Sequence, residues 1–223
     1  MNAKVLVTDF DGTMTANDFY RLAAARLLPA DALAPWGEYR AGRITHFEAL
    51  RRIFGRIRAP EEDVLALVED MGPDPLLAAE VRRLRDHGWD VVVASAGCAW
   101  YIETVLLRAG LAVGTDLHVH ANPGTYAPQQ GLCMRPPEGS PFFSLETGVD
   151  KAAVVRFHRR RGAVVAFAGD GFADREAALE TDPGLRFARA DLAAALDEEG
   201  QAYRPFARWA DVTRALLGPG PGE

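Results

Sequence analysis

Asp9-Phe10-Asp11-Gly12-Thr13-Met14-Thr15 comes directly after the apolar, β-branched run Lys4-Val5-Leu6-Val7-Thr8. The run reads as a buried strand over 4–9, and Asp11-Gly12-Thr13 as the turn that stops it. Asp9 and Asp11 then stand together at the carboxyl end of a strand. Residues i and i+2 lie on one side of an extended chain, and Gly12 permits the tight turn after them.

Outward from this point the pattern changes. Residues 15–73 carry helical spacing and no convincing strand. Phe19, Leu22, Ala23, Arg26 and Leu27 form one face, Phe47, Leu50, Ile53 and Phe54 another, and Val64, Leu67 and Val68 a third. Pro29, Pro35 and Pro60 divide the stretch into about four helices. After Met71-Gly72-Pro73 strand and helix alternate. Helices are expected over 75–87, 99–109, 150–161, 173–180, 191–199 and 206–217, and strands over 89–94, 117–121, 163–168 and 185–188. Residues 122–147, rich in Pro and Gly, read as a hairpin or flap followed by a loop. Continuous apolar strands separated by helices predict an α/β fold, a parallel Rossmann-like sheet with helices on both faces. The organisation expected is a core over 1–14 and 74–217, a helical cap inserted over 15–73, and a frayed tail over 218–223.

Ligands of open parallel sheets bind outside the carboxyl ends of the strands. The groups at those ends are Asp9 and Asp11, then Ser95-Ala96-Gly97, then Gly169-Asp170-Gly171 with Asp174 one turn on. Lys151 opens a nearby helix. Four carboxylates on one rim repel one another unless a cation sits among them. All-oxygen ligands suit Mg²⁺ before Ca²⁺ or zinc. A hydroxyl, a Lys and glycine-rich backbone N–H groups make an anion cradle. Metal, cradle and free carboxylates together point to phosphoryl transfer. Singly, each piece has a plainer reading: Ser95 a helix cap, Lys151 a solvated side chain or a partner of nearby Asp150, the Gly-Asp-Gly a turn. Their joint placement at successive strand ends is poorly explained by those readings.

Composition narrows the classes. The 223 residues are 48% apolar, with 25 Lys and Arg against 31 Asp and Glu, a net charge of −6. The charge argues against nucleic acid as partner. No apolar run reaches the ~20 residues of a membrane span, and the N-terminus does not read as a signal peptide. Cys98 and Cys133 make neither a disulfide framework nor a zinc cluster. A cytoplasmic protein is expected, with no membrane partner; a homodimer is compatible with the sequence, which does not choose an oligomeric state. Of the cations only Lys4 and Lys151 are Lys, so each Lys asks for a reason that Arg would not meet.

These residues resemble the haloacid dehalogenase superfamily of phosphatases over essentially the whole chain. Asp9–Thr15 matches its first motif, Ser95 after a buried strand its second, Lys151 its third, and Gly169–Asp174 its fourth. The helical insertion resembles the cap of the phosphoserine-phosphatase-like branch. Thr15–Asp18, the spacing from Ile44 to Phe54, and Phe187–Arg189 through Tyr203–Phe206 are most similar to the methionine-salvage phosphatases of that branch, which act on a hydroxy-keto-methylthiopentenyl phosphate. The chain departs from them at Ala96, at Gly171 and in lacking a cysteine-rich stretch over 135–150.

The resemblance implies a Mg²⁺-dependent hydrolase of a small phosphorylated metabolite. Asp9 would be the nucleophile and Asp11 the general acid and base, its pKa raised by neighbouring carboxylates. Asp9, Asp170 and the backbone carbonyl of Asp11 would hold Mg²⁺, with Asp174 orienting Lys151 or metal-bound water from behind. Ser95, Lys151 and the Ala96 N–H would hold the phosphoryl oxygens. In the cap, Asn17, Asp18, Arg40, Phe47, Arg51 and Phe54 are the candidate substrate contacts. Phe47 and Phe54 read first as core of the insertion, Asn17-Asp18 as a helix cap, and Arg51 as a solvated face. A phosphoserine phosphatase or a phosphotransferase of the superfamily shares the four motifs. A phospho-receiver-like binding module would also use Asp, Mg²⁺ and Lys, but it needs neither the insertion nor a base beside the nucleophile.

Overall fold

In the computed structural model, which describes residues 3–218, β1 (Lys4–Thr8) is followed by four α-helices: α1 (Phe19–Arg26), α2 (Ala34–Arg40), α3 (His46–Phe54) and α4 (Glu61–Glu69). Then come α5 (Leu77–Asp86), β2 (Trp89–Cys98), α6 (Ala99–Arg108) and β3 (His118–Asn122). A hairpin of β4 (Gly124–Ala127) and β5 (Gly131–Met134) precedes a smaller one of β6 (Phe143–Ser144) and β7 (Gly148–Val149). The chain ends in α7 (Lys151–Arg160), β8 (Val164–Gly169), α8 (Arg175–Leu179), β9 (Arg186–Ala188), α9 (Ala190–Glu198), β10 (Arg204–Pro205) and α10 (Trp209–Leu217). Gly218 caps α10; the rest of the expected tail lies outside the described residues.

The sheet is parallel throughout, in the order β10-β9-β8-β1-β2-β3. Alternation along β1 decides what each face meets. Val5 and Val7 pack with Val154, Val155, Ala177 and Leu192 of α7, α8 and α9. Leu6 packs on the opposite face with Val81 and Leu84 of α5, Ile102 and Val105 of α6, and Trp209 and Val212 of α10. β1 is therefore covered on both faces and flanked by β2 and β8 on both edges, which places its carboxyl end at the centre of the fold.

The four helices between β1 and α5 fall where the prolines put them. Pro35 lies in the first turn of α2 and Pro60 precedes α4. The Asp18 carboxylate caps α1 through Arg21 N, and Thr45 Oγ1 caps α3 through Glu48 N. The chain leaves and returns side by side: Thr15 bridges Pro73, Ala16 N donates to Gly72 O at 2.8 Å, and Asn17 N to Met71 O at 3.0 Å. Phe19, Phe47, Leu50, Ile53, Phe54 and Val64 of this segment share one apolar cluster with Phe10, Met14 and Tyr101.

Some elements differ from the sequence reading. β2 runs on to Cys98, and Cys98, not Ser95, is the cap residue of α6. The pair β6–β7 and the edge strand β10 are two residues each, too short for a period-2 pattern to register. His118 and His120 do lie on the edge strand β3, where His120 packs edge-on against Phe142 at 4.6 Å. Lys4 sits 5.9 Å over the Trp89 ring, a cation–π contact. Among the described residues no helix is long and apolar enough to cross a membrane.

Trp209 joins the last helix to the strand that carries Asp9. Its ring is 1% exposed, and its Nε1 donates to Thr8 Oγ1 at 3.1 Å. Trp209→Ala is expected to lower the unfolding free energy by roughly 3–5 kcal/mol, read as a shifted midpoint at unchanged slope in urea. A loss below about 1 kcal/mol, the size of an ordinary surface change, would contradict this anchoring role.

Candidate active site

Lys151 is the first residue of α7, placed there by Asp150, whose carboxylate caps the helix through Ala153 N at 2.8 Å. Its Nζ lies 2.7 Å from Asp9 Oδ1 and 2.6 Å from Asp174 Oδ1, and the side chain is 6% exposed. Neither plainer reading of Lys151 holds: it is buried, and Asp150 pairs with Arg156 instead. Asp174 Oδ2 accepts from Asp170 N at 3.1 Å and Gly171 N at 3.0 Å. One buried carboxylate thus fixes both the ammonium and the turn that carries Asp170.

Asp9, Asp170 and Asp174 each offer an oxygen within 4.8 Å of the others. Burial raises the Asp9 carboxyl well above its ordinary range, and the charges of Asp174 and Asp170 add to this against the pull of Lys151. Asp170 is raised to about 6, by burial and then by Asp174, opposed by the hydrogen bond from Thr13 Oγ1 at 3.0 Å. One ammonium cannot neutralise three clustered carboxylates. The donor set is all oxygen and fits a hard divalent cation such as Mg²⁺.

Asp11 stands apart. Its Oδ1 accepts from Phe19 N at 2.9 Å and its Oδ2 from Tyr101 Oη at 2.7 Å, so the carboxylate lies outside the three-Asp cluster. Its pKa is raised to about 7. Burial is the first cause and the Asp18 charge the next, while the Phe19 and Tyr101 bonds pull it down. The expected direction holds, but burial outweighs neighbouring carboxylates as its source. Phe19 stacks on Tyr101 at 4.3 Å, and Phe54 meets Phe19 edge-on at 5.3 Å, forming an aromatic wall behind the carboxylate. A Cβ on Gly97 would fall 1.9 Å from Tyr101 Oη, so glycine at 97 lets the phenol reach Asp11. Gly12 (φ +70°) is wedged likewise, a Cβ there falling 2.3 Å from Asp170 Oδ2.

Ser95 is 2% exposed, its Oγ accepting from Gly97 N at 3.0 Å, which shapes the irregular end of β2 that presents Ala96. Four residues brace this site in roles that the sequence reading did not assign: Tyr101, Thr13, Asn122 and Arg189. Tyr101 holds Asp11 and Thr13 holds Asp170. Asn122 is fully buried and donates to Ala96 O at 2.7 Å and Thr147 O at 3.1 Å. Arg189 donates to Gly12 O at 2.7 Å, Thr15 O at 3.1 Å and Ala207 O at 2.7 Å. Each brace spans a long stretch of chain, and no local pattern announces it.

Of the six candidates in the helical segment, Asp18 acts electrostatically on Asp11, and Phe54 is in the wall behind it. Phe47 is buried in the core, 8% exposed. Arg51 is paired with Glu48 at 2.7 Å on an exposed face. Asn17 donates to Asp70 O at 2.9 Å, and Arg40 is exposed at the end of α2.

A family model described as haloacid dehalogenase-like hydrolase matches residues 6–179. A 2-hydroxy-3-keto-5-methylthiopentenyl-1-phosphate phosphatase from Microcystis aeruginosa is 26% identical over 222 residues, covering 96% of this chain and 98% of that protein. One from Brevibacillus brevis is 23% identical, covering 95% and 94%. In fold, the chain is similar to a hydrolase structure from Salmonella enterica serovar Typhi, with TM-score 0.70 and 15% identity over 97% of this chain and 72% of that one. It is similar also to a phosphoserine phosphatase solved as a phospho-aspartyl intermediate analogue, with TM-score 0.64 and 18% identity over 96% and 99%.

Charge crowding gives a test by linkage. Asp170 has a folded pKa of about 6, above its ordinary carboxylate value. The folded state therefore holds a proton that the unfolded chain releases, and this carboxylate costs stability as pH rises through about 6. Asp170→Asn keeps an acceptor for Thr13 and removes the charge. In EDTA at pH 8 its thermal midpoint should exceed that of the unsubstituted protein by roughly 2–6 °C. The difference should shrink at pH 5, where the native carboxyl is itself protonated. A variant less stable at pH 8 than the parent would refute the crowding.

Proposed function

Because the chain belongs to the haloacid dehalogenase-like hydrolase family, we propose that it hydrolyses the phosphomonoester of a small metabolite through an aspartyl-phosphate on Asp9. The observation that carries this is the division of labour between two carboxylates only two residues apart. Asp9 is held by Lys151 within a carboxylate cluster that could take a metal ion. Asp11 is held away from it, at a pKa of about 7.

In this reading an Asp9 oxygen attacks phosphorus, and the bond to the ester oxygen breaks. Asp11 gives its proton to the departing alkoxide. It then takes a proton from water as the water oxygen attacks phosphorus, the Asp9–phosphorus bond opens, and inorganic phosphate leaves. A pKa near working pH suits a group that must both give and take a proton. Ser95 Oγ, Lys151 Nζ and Ala96 N–H hold the phosphoryl oxygens, and Asn122 and Arg189 keep the loops bearing Ala96 and Asp11 in place. Asp9, Asp170 and the backbone carbonyl of Asp11 would hold Mg²⁺, with Asp174 close beside; when bound, the ion supplies positive charge against the phosphoryl oxygens. Residues 15–73 act as a cap over this site, with 1–14 and 74–217 as the catalytic core. The relatives are named for a hydroxy-keto-methylthiopentenyl phosphate, which supports a small phosphomonoester as the substrate in this reading.

Lys151 fits this role as a compact ammonium between two carboxylates 2.6 and 2.7 Å away, where a planar guanidinium would not fit. Phosphate release from a panel of phosphomonoesters should require Mg²⁺ and stop in EDTA. Asp9→Asn should abolish turnover. Lys151→Arg should lose about two orders of magnitude or more in kcat, the scale of losing one aimed charge, while still folding. Near-parental turnover in that variant, or phosphate release from no member of the panel, would sink the assignment.

A further inference from the structure

Tyr101 is the third residue of α6 and is 1% exposed. Its Oη donates to Asp11 Oδ2 at 2.7 Å. Phe19 lies flat on its ring at 4.3 Å and 9°, and Phe54 meets it edge-on at 6.4 Å, so the ring is held on two sides. Gly97 completes the fit. A Cβ there would fall 1.9 Å from the Tyr101 Oη and 3.0 Å from Asp11 Oδ2. The hydroxyl and its carboxylate partner therefore occupy the space that a side chain at 97 would take.

Only one direction is open to each hydrogen bond on Asp11. Phe19 N–H donates to Oδ1 at 2.9 Å, and a backbone amide can only donate. A phenol can donate or accept. Among the described residues, however, Tyr101 Oη has Asp11 Oδ2 as its one hydrogen-bond partner. If the phenol accepted from a protonated Asp11, its own hydrogen would be buried without an acceptor, which is costly. Tyr101 therefore donates whether Asp11 is charged or neutral. One position on each carboxyl oxygen is thus closed to the acid's proton by a donor. The positions left point away from Tyr101 and Phe19. Asp11 is half-buried, unlike the phenol that holds it.

We propose that Tyr101 is the positioning residue of the acid step: with the Phe19 N–H, it keeps the Asp11 proton on the side of the carboxyl turned toward the departing ester oxygen. This rests on the chain being a phosphomonoesterase. In that step an Asp9 oxygen bonds to phosphorus, the bond from phosphorus to the ester oxygen breaks with its electron pair on oxygen, and the Asp11 proton passes to that oxygen. The buried phenol does not meet the substrate and acts through Asp11 alone. Without it the carboxyl can turn, and its proton can stand where no leaving group reaches it. A strongly basic leaving group, an alkoxide or plain phenoxide, then suffers most. A nitrophenoxide, which departs without a proton, suffers least.

The test compares phenyl phosphate, p-nitrophenyl phosphate and glycerol 2-phosphate, with Mg²⁺, by kcat/KM, which reports the steps up to departure of the alcohol. In Tyr101→Phe the ratio of kcat/KM for phenyl over p-nitrophenyl phosphate should fall by about tenfold, part of the roughly 10²–10⁴-fold that a positioned acid supplies. The ratio for glycerol 2-phosphate over p-nitrophenyl phosphate should fall at least as far. Gly97→Ala keeps the phenol but drives it off Asp11, and should lower both ratios in the same direction. Any harm it does to phosphoryl binding falls on all three esters alike, so it carries the test if Tyr101→Phe does not fold. Unchanged ratios, whether all three rates fall together or none falls, would make the phenol a brace of the fold and nothing more, overturning the proposal. Turnover of p-nitrophenyl phosphate in that case leaves the phosphatase reading standing. No turnover of any ester by the unsubstituted protein fails that reading, and this one with it.

Discussion

One ammonium, Lys151 Nζ, sits buried between Asp9 and Asp174, and the rest of the site is arranged around how far its charge extends. A buried ion pair is costly to assemble and costlier to break, because the abandoned partner keeps its desolvation penalty. Three elements must therefore meet at fixed distances: the end of β1, the start of α7 and the turn after β8. Asp174 completes the lock by accepting the backbone N–H groups of Asp170 and Gly171. Burial still prevails over that cation: Asp9 is raised well above its ordinary range, Asp11 to about 7 and Asp170 to about 6.

The parts of this arrangement that local pattern encodes are legible in the residues. β1, β2 and β8 are buried on both faces, so they appear as unbroken apolar runs. The residues just after each run must stand at the carboxyl end of a strand in a parallel sheet. Asp9, Ser95 and Asp170 can be placed in this way from the sequence alone. The four braces cannot. Thr13 reaches Asp170 across 157 residues, Arg189 reaches Gly12 across 177, Tyr101 reaches Asp11 across 90, and Asn122 reaches Ala96 across 26. Such contacts depend on how helices and loops dock, which periodicity does not carry. The cause of the Asp11 shift is hidden from the sequence for the same reason. Charged neighbours can be counted along a chain, whereas burial is a property of the finished fold.

Residues 15–73 carry eight Arg against nine Asp and Glu. In the fold, Arg26, Arg51, Arg52 and Arg56 are each paired with a carboxylate of the same segment. These exposed pairs add little stability individually, but they leave the charge of the segment largely spent outward. Its rings gather in two groups: Phe19 stacked on Tyr101 behind Asp11 with Phe54 edge-on to it, and Trp36, Tyr39 and His46, of which His46 meets the loop that leads to Lys151 through its backbone. On the proposed reading, such surfaces would exclude water around Asp9 and Asp11.

The adjoining points where the chain departs after Thr15 and rejoins at Pro73 have a consequence beyond catalysis. A segment whose two ends are joined by their own hydrogen bonds places no demand on its length or internal plan. The sheet closes the same way whatever lies between. Such a graft can be lengthened, shortened or exchanged while the strand ends keep their chemistry. The apolar seam it shares with Phe10 and Met14 sets the limit, since a replacement must still bury those two side chains. A lineage built on this plan can change its recognition by rewriting one continuous stretch of its gene.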